Sequence, residues 1–473
     1  MKRALCETEP AEEGGSPEKR SRVEEAPPAL SPSQERVLAK ALTGVSFFFT
    51  GPAGTGKSFV LERIRRGLIE KYDNNEDAVY LTASTGLAAC NIGGTTLHGF
   101  AGVGLGDAPI ATILKDLNGS KPWNKDTTLR WNTARALIID ECSMIQPDFF
   151  EKLDKIGRYT RKNNSPFGGL QVILCGDFFQ LPPVNKDKKR GGGRKKHQDE
   201  TNEKYIFQTD TWHNLIGKNI LVLTEVFRQQ EPEFRHMLED FRYGNLSKES
   251  IALFQQRRNA TESAEDLPTD TVKLYATRNE VDIINFLELD KIKDAQTQTY
   301  YALDSGDQAI VTKMEEHWMA PKVITLKNSA SVMLVYNVSF SRGLVNGLTG
   351  KVIGFNEQSN YPIVSFSNGV IYTVTPAKWE IKLGKKVLMR HFQVPLIPSY
   401  AVTIHKSQGM SIRNVEVNTS KLFEKAQLYT ALSRGMTLGG LYIRGTLPKA
   451  DLLKPDPKVM DWWVAAVNSE SHV

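Results

Sequence analysis

From about Leu30 to Arg228 the chain alternates short runs of apolar, β-branched and aromatic residues with stretches whose apolar positions recur at helical spacing. That alternation is what a parallel sheet with helices on both faces requires. Strands are expected at 47–49, 79–82, 137–139, 172–175 and 221–223. The polar clusters that follow them include Thr82-Ala83-Ser84-Thr85-Gly86, Asp140-Glu141, Gly176-Asp177-Phe178-Phe179-Gln180 and Thr224-Glu225-Val226-Phe227-Arg228. Parallel α/β sheets carry their ligand sites at the C-terminal strand ends, so these clusters are expected along one edge.

The second half repeats the alternation with different contents. One strand is expected to end in Leu274-Tyr275-Ala276-Thr277-Arg278-Asn279, another in 399–409, and 427–434 reads as a helix leading to Arg434. Between them, 331–335, 350–355, 363–366 and 370–374 are short β-runs punctuated by Asn346-Gly347 and Ser367-Asn368-Gly369, the signature of a small β-barrel inserted at about 328–395. The expected organisation is a first α/β lobe at 30–235 and a second at 236–473. Residues 1–29, rich in Glu, Pro and Ser and nearly free of large apolar side chains, are expected to be a disordered tail.

The cluster after the first strand carries the most specific chemistry: Gly51-Pro52-Ala53-Gly54-Thr55-Gly56-Lys57-Ser58, followed by Val60, Leu61, Ile64 and Leu68 at helical spacing. Glycines let successive backbone N–H groups turn inward, the lysine supplies a point charge for β- and γ-phosphates, and the serine hydroxyl reaches Mg²⁺. The helix N-terminus behind them favours an anion. A nucleoside triphosphate, ATP, is therefore expected on Gly51, Pro52, Ala53, Gly54, Thr55, Gly56, Lys57 and Ser58. Asp140 and Glu141, after an apolar strand, suit a Mg²⁺-holding carboxylate and a base for the attacking water, and Gln180 suits a bond to the γ-phosphate or that water. The second lobe has no phosphate loop of its own. A cleft closed over ATP by Arg228 from one lobe and Arg434 from the other is the expected arrangement.

Composition narrows the setting. No apolar run in the 473 residues approaches the roughly 18 residues of a membrane span. Four cysteines without C-x-x-C pairing point to a reducing compartment and away from structural zinc. The net charge of +6 is matched by the excess in the single segment 185–198, with Lys186, Lys188, Lys189, Arg190, Arg194, Lys195 and Lys196 against Asp187. Gly191-Gly192-Gly193 at its centre reads as a mobile loop, with a DNA contact, a localisation signal and a solvated surface as the open readings. Lys19-Arg20-Ser21-Arg22 reads as a nuclear address or a solvated charge run, and the acidic residues around it argue against a mitochondrial presequence.

Taken together, 51–58, 82–89, Gly94-Thr95-Thr96-Leu97-His98, Asp140-Glu141-Cys142-Ser143-Met144, 176–184, 401–409 and Tyr429-Thr430-Ala431-Leu432-Ser433-Arg434 resemble the motifs of the Pif family of helicases, in the RecD-like branch of superfamily one. Asp148 to Arg161 before Pro166-Phe167-Gly168-Gly169, and Leu344-Val345-Asn346-Gly347, match family-specific segments. Cys142 departs from the pattern, as does the basic segment after Val184.

The resemblance implies two RecA-like lobes, an SH3-like inserted barrel, and an ATP-dependent motor that moves 5′-to-3′ on single-stranded DNA and unwinds duplexes. It implies that Gln34 reads the adenine edge, and that Thr85, His98, Thr403, His405 and, more weakly, Tyr429 face the DNA. Single-stranded and tailed duplex DNA are the expected partners, with quadruplex DNA compatible, no membrane, and a monomer in solution. Replication, repair, recombination and telomere maintenance all suit such a motor, in the nucleus first and the mitochondrion second. A nucleotide-switched DNA clamp and an RNA helicase would carry the same motifs.

If three to five of the seven cations in 185–198 engage phosphates of a single strand, a neutral Gly/Ser replacement should flatten log K against log[salt] by roughly 2–3.5. Filter-binding or anisotropy titrations across salt concentrations measure this, and an unchanged slope would remove the loop from the DNA interface.

Overall fold

The computed structural model describes residues 29–470 apart from 86–87, 90–91, 105, 118, 120–121, 184–203, 294, 307–310, 313–317, 319, 337, 340–341, 345–346 and 384–385. The expected tail, except its last residue, and the basic segment 185–198 lie outside the described residues. The first sheet contains β1 (Phe47–Thr50), β2 (Val79–Ala83), β3 (Thr95–Thr96), β4 (Ala136–Asp140), β5 (Gln171–Cys175) and β6 (Ile220–Val222), in the order β3-β2-β4-β5-β1-β6. All its pairings are parallel, so the C-terminal strand ends share one edge. The five strands anticipated from the pattern are all present; β3 is additional.

The central strand shows why this sequence folds so. Phe47, Phe48 and Phe49 are all fully buried, and strand alternation sends them to opposite faces. Phe47 and Phe49 join Val60, Leu61, Ile64 and Leu68 of the helix Lys57–Lys71 in one core. Phe48 enters the core on the other face, against Phe178, Trp212 and Trp462 at 5.4, 5.2 and 5.9 Å between ring centres. Burying each phenylalanine contributes about 1.5–3 kcal/mol. Elsewhere in this lobe the helix Pro147–Arg161 meets the turn Pro166–Gly169 so closely that a Cβ on Gly157 would lie 2.8 Å from Phe167 backbone atoms.

In the second lobe β7 (Val272–Tyr275) is followed by the helix Arg278–Lys291 and then by an antiparallel insertion. The insertion comprises β8 (Thr297–Tyr301), β9 (Leu303–Gly306), β10 (Val323–Lys327), β11 (Ser331–Leu334), β12 (Thr349–Phe355), β13 (Pro362–Phe366), β14 (Ile371–Thr373), β15 (Ala377–Leu383), β16 (Lys386–Gln393) and β17 (Leu396–Pro398). Its ladders form a five-stranded sheet β14-β13-β12-β11-β17, a three-stranded sheet β15-β16-β9 and the pair β10-β8. The four short runs anticipated there become β11 to β14. The lobe then resumes with β18 (Ala401–Thr403), β19 (Val415–Asn418) and β20 (Leu441–Arg444), giving the all-parallel order β18-β7-β19-β20.

The chain returns to the first lobe at its end. Trp462, on the helix Pro457–Glu470, stacks on Phe207 at 4.9 Å and meets Phe178 edge-on at 5.0 Å. One continuous apolar core therefore includes Phe48 and Leu174 of the first lobe and Val272 and Leu441 of the second. Among the described residues no helix is long and apolar enough to cross a membrane. Trp462→Ala should lower unfolding free energy in urea by about 3 kcal/mol, whereas Val464→Ala, at a half-exposed neighbour, should change it by less than about 0.5 kcal/mol.

Candidate active site

The loop after β1 is shaped by its glycines. Gly54 and Gly56 hold φ of 86° and 77°, a left-handed conformation that side chains disfavour, and a Cβ on Gly54 would lie 2.7 Å from the Cβ of Arg228. Lys57 opens the following helix, and its Nζ donates to the carbonyls of Gly51 at 2.8 Å and Pro52 at 3.0 Å. Gln34, 2% exposed, donates from Nε2 to the Thr55 carbonyl at 3.1 Å and accepts from the Ser31 amide at 3.0 Å. The helix Pro32–Leu42 thus braces the phosphate loop from behind.

Asp140 ends β4 and Glu141 follows it with φ 51° and ψ 43°, a strained conformation for a residue with a side chain. Glu141 makes no capping bond to the short turn Cys142–Met144, so its carboxylate does not serve as a helix cap. The Glu141 amide donates to Asp140 Oδ1 at 2.8 Å. Burial, and after it the negative charge of Glu141, push the Asp140 carboxyl up to about 7 despite that bond, a contact with the Cys175 thiol and the charge of Lys57.

Gln180, 4% exposed, follows β5 and has both ends of its amide assigned. Its Nε2 donates to Asp177 Oδ2 at 3.3 Å, and its Oε1 accepts from Arg434 Nη2 at 3.4 Å. Asp177 is in turn fixed by Arg242, whose Nη2 lies 2.9 Å from Oδ1 and whose guanidinium sits 4.3 Å from the Phe179 ring centre. Burial alone would raise the Asp177 carboxyl; the Arg242 charge overrides this and holds it below the usual carboxylate range.

Arg228 Nη1 donates to the Ser433 carbonyl at 2.9 Å, one residue before Arg434. Desolvation, and then repulsion from Arg434, push the Arg228 guanidinium down to about 9. Burial likewise lowers Arg434, with Glu141 opposing. Two desolvated cations so placed favour an anion between them. The two lobes thus bring together the sequence-derived Lys57, Asp140, Glu141, Gln180, Arg228 and Arg434.

The residues expected on DNA fall differently. Thr85 is half-buried and its hydroxyl accepts from the Ala88 amide at 3.2 Å. His98 stacks on Phe149 at 4.1 Å with 10° between rings. Thr403 is 8% exposed and accepts from the Lys406 amide at 3.2 Å; burial lowers the pKa of neighbouring His405, favouring its neutral form. Tyr429 is 3% exposed, and its hydroxyl accepts from the Ala53 amide of the phosphate loop at 3.1 Å. Burial raises its phenol to about 12. Sequence reasoning passed over Gln408, which donates to Glu141 Oε2 at 2.7 Å, Gln229, which donates to the Gly435 carbonyl at 2.7 Å, and Arg242. The only signal for Gln408 was its position in the 401–409 motif.

Ser58 and Asp140 suit Mg²⁺, which keeps several waters and takes one or two carboxylates together with phosphate oxygens. The raised Asp140 reflects its burial first and the adjacent, half-buried Glu141 carboxylate second, a cost that a cation would relieve. Without ligands, Asp140 is protonated in both folded and unfolded chains below pH 3.8; between 3.8 and about 7 the unfolded chain ionises first, so stability falls as pH rises and levels off above 7. Asp140→Asn, which retains an acceptor for the Glu141 amide, should therefore raise the melting temperature of the ligand-free protein at pH 8 and hardly alter it at pH 4; equal effects at both would contradict the assignment.

The family model described as PIF1-like helicase matches residues 29–251, and that of the DNA helicase Pif1 2B domain matches 313–355. The chain is 38% identical to the ATP-dependent DNA helicase PIF1 of Xenopus laevis, covering 92% of this chain and 64% of that protein. It is 36% identical to the Homo sapiens protein of the same name, covering 94% and 65%. It thus spans just under two thirds of the length of these relatives. The crystal structure of Pif1 helicase from Candida albicans is 35% identical, with a TM-score of 0.76 over 92% of this chain and 99% of that one. That of Bacteroides sp Pif1 in complex with ADP-AlF4 is 26% identical, with a TM-score of 0.73 over 93% and 98%. A shared fold, matching family segments at 29–251 and 313–355 and this identity over almost the whole of a solved relative establish that the chain belongs to the PIF1-like helicase family.

Proposed function

We propose that this protein is an ATP-driven motor that moves 5′-to-3′ along single-stranded DNA and unwinds duplex or structured DNA in genome maintenance. The observation that carries the reading is the set of bonds crossing the cleft at the phosphate loop and acidic pair: Arg228 to Ser433, Arg434 to Gln180 and Tyr429 to Ala53. Each joins a γ-phosphate-facing group or the loop itself to the other lobe, so the state of the nucleotide alters how the lobes sit. A related Bacteroides Pif1 has been crystallised bound to ssDNA, which supports the choice of polymer; the direction follows from the family resemblance.

In this reading Lys57 and the loop amides hold the β- and γ-phosphates, and Gln34 orients the adenine. Ser58 and Asp140 would hold Mg²⁺, which when bound would supply charge compensation on the phosphate oxygens. Glu141 takes a proton from water as the water oxygen bonds to the γ-phosphorus and the bond to the β,γ-bridging oxygen breaks, leaving ADP and phosphate. Arg228 and Arg434 stabilise the charge developing on the γ-phosphoryl oxygens. Loss of that anion returns the two arginines to mutual repulsion and loosens the cleft. Thr85, His98, Thr403 and His405 line the DNA track, with His405 acting as a neutral hydrogen-bonding or stacking group. The protein works as a monomer on tailed duplexes and quadruplex DNA, and Lys19-Arg20-Ser21-Arg22 supports a nuclear setting.

Glu141→Gln should retain ATP and DNA binding while turnover falls on the order of 10²–10⁴-fold. The wild-type ATPase should rise steeply with single-stranded DNA, and strand-displacement assays should show opening of 5′-tailed but not 3′-tailed or blunt duplexes. Hydrolysis on DNA without strand release would instead identify a clamp.

A further inference from the structure

Gln408 belongs to the second lobe, in the tight turn after β18, yet its side chain ends on the first. Nε2 donates to Glu141 Oε2 at 2.7 Å, between residues 267 positions apart. Gln408 is 6% exposed, and its Oε1 is buried without a hydrogen-bond partner among the described residues. The turn does not need this side chain: it is closed by Ser407 N to Thr403 O at 3.0 Å and Ser407 Oγ to Ile404 O at 2.8 Å. Glu141, with its left-handed backbone and no capping bond, has a carboxylate that its own turn leaves unsecured.

We propose that Gln408 is a positioning residue for Glu141, an inference that rests on the ATPase reading above. A carboxylate that is to remove a proton from an in-line water must be held in one rotamer, because a misplacement of about 1 Å can cost 10²-fold in rate. Gln408 secures Oε2 and leaves Oε1 as the proton-accepting oxygen. Its own unpartnered Oε1 lies on the same planar amide, and a buried carbonyl oxygen is unfavourable until a donor arrives; the water that Glu141 deprotonates is such a donor. The base of the first lobe is therefore completed only by a side chain from the second. Hydrolysis is then confined to the arrangement in which the lobes are apposed, independently of the arginines.

The test uses the full chain with saturating ATP, Mg²⁺ and an oligo-dT strand. Gln408→Met keeps the length of the side chain and removes its donor; kcat should fall roughly 10–100-fold, while affinity for a fluorescent ADP analogue and the melting temperature stay close to wild type. Gln408→Glu, which sets a carboxylate against Glu141, should lose more. The deciding measurement is a double-mutant cycle by single-turnover hydrolysis: in a Glu141→Gln background, Gln408→Met should cost less than about twofold, since nothing remains to be positioned. Equal fold-losses in both backgrounds, or wild-type kcat in Gln408→Met, overturn the inference and leave the ATPase reading intact. Absence of DNA-dependent hydrolysis in the wild-type protein overturns both.

Discussion

Arg228 and Arg434 are held near one another in a cleft that strips both of much of their water, and the rest of the site follows from that repulsion. Each guanidinium is pushed toward a lower pKa by burial, and Arg228 further by its neighbour. Such an arrangement is unfavourable by itself and is relieved by an anion placed between the lobes. In the proposed reading that anion is the phosphate chain of the nucleotide, its terminal group toward Gln180. In that reading the same electrostatic cost makes the lobes responsive to whether that group is present.

Repulsion of this kind is useful only if the groups around it cannot drift away. The buried pair Asp177 and Arg242, 0% and 2% exposed, supplies the anchor. Removing one partner of such a pair typically costs about 3–5 kcal/mol, because the other is left charged and unpaired. Arg242 is enclosed by Phe179, Tyr243 and Trp463 at 4.3, 4.9 and 5.4 Å from their ring centres, so the cation is held by rings as well as by the carboxylate. With Asp177 fixed, the Gln180 amide has a defined orientation, its oxygen toward Arg434. The C-terminal helix contributes Trp463 to this anchor and Trp462 to the core under β1, tying the end of the chain to the geometry of the nucleotide site.

Local sequence pattern determined a large part of this protein. The phosphate loop, the helix behind it, the acidic pair and Gln180 are contiguous motifs whose chemistry depends on neighbours within a few residues, and parallel strand order obliges them to share an edge. The five strands of the first lobe and the short strands of the insertion were legible for the same reason, since apolar periodicity is itself a consequence of which face is buried. Tertiary structure alone decided which side chains meet across the cleft. Tyr429 was expected on DNA only through the family resemblance, yet its hydroxyl ends on the Ala53 amide, 376 positions away; Gln408 ends on Glu141, and Arg242 on Asp177. No periodicity encodes such pairings, because they depend on how two separately patterned lobes are docked by a common aromatic core. A single sequence specifies that core residue by residue, but its geometry exists only once the whole chain has packed.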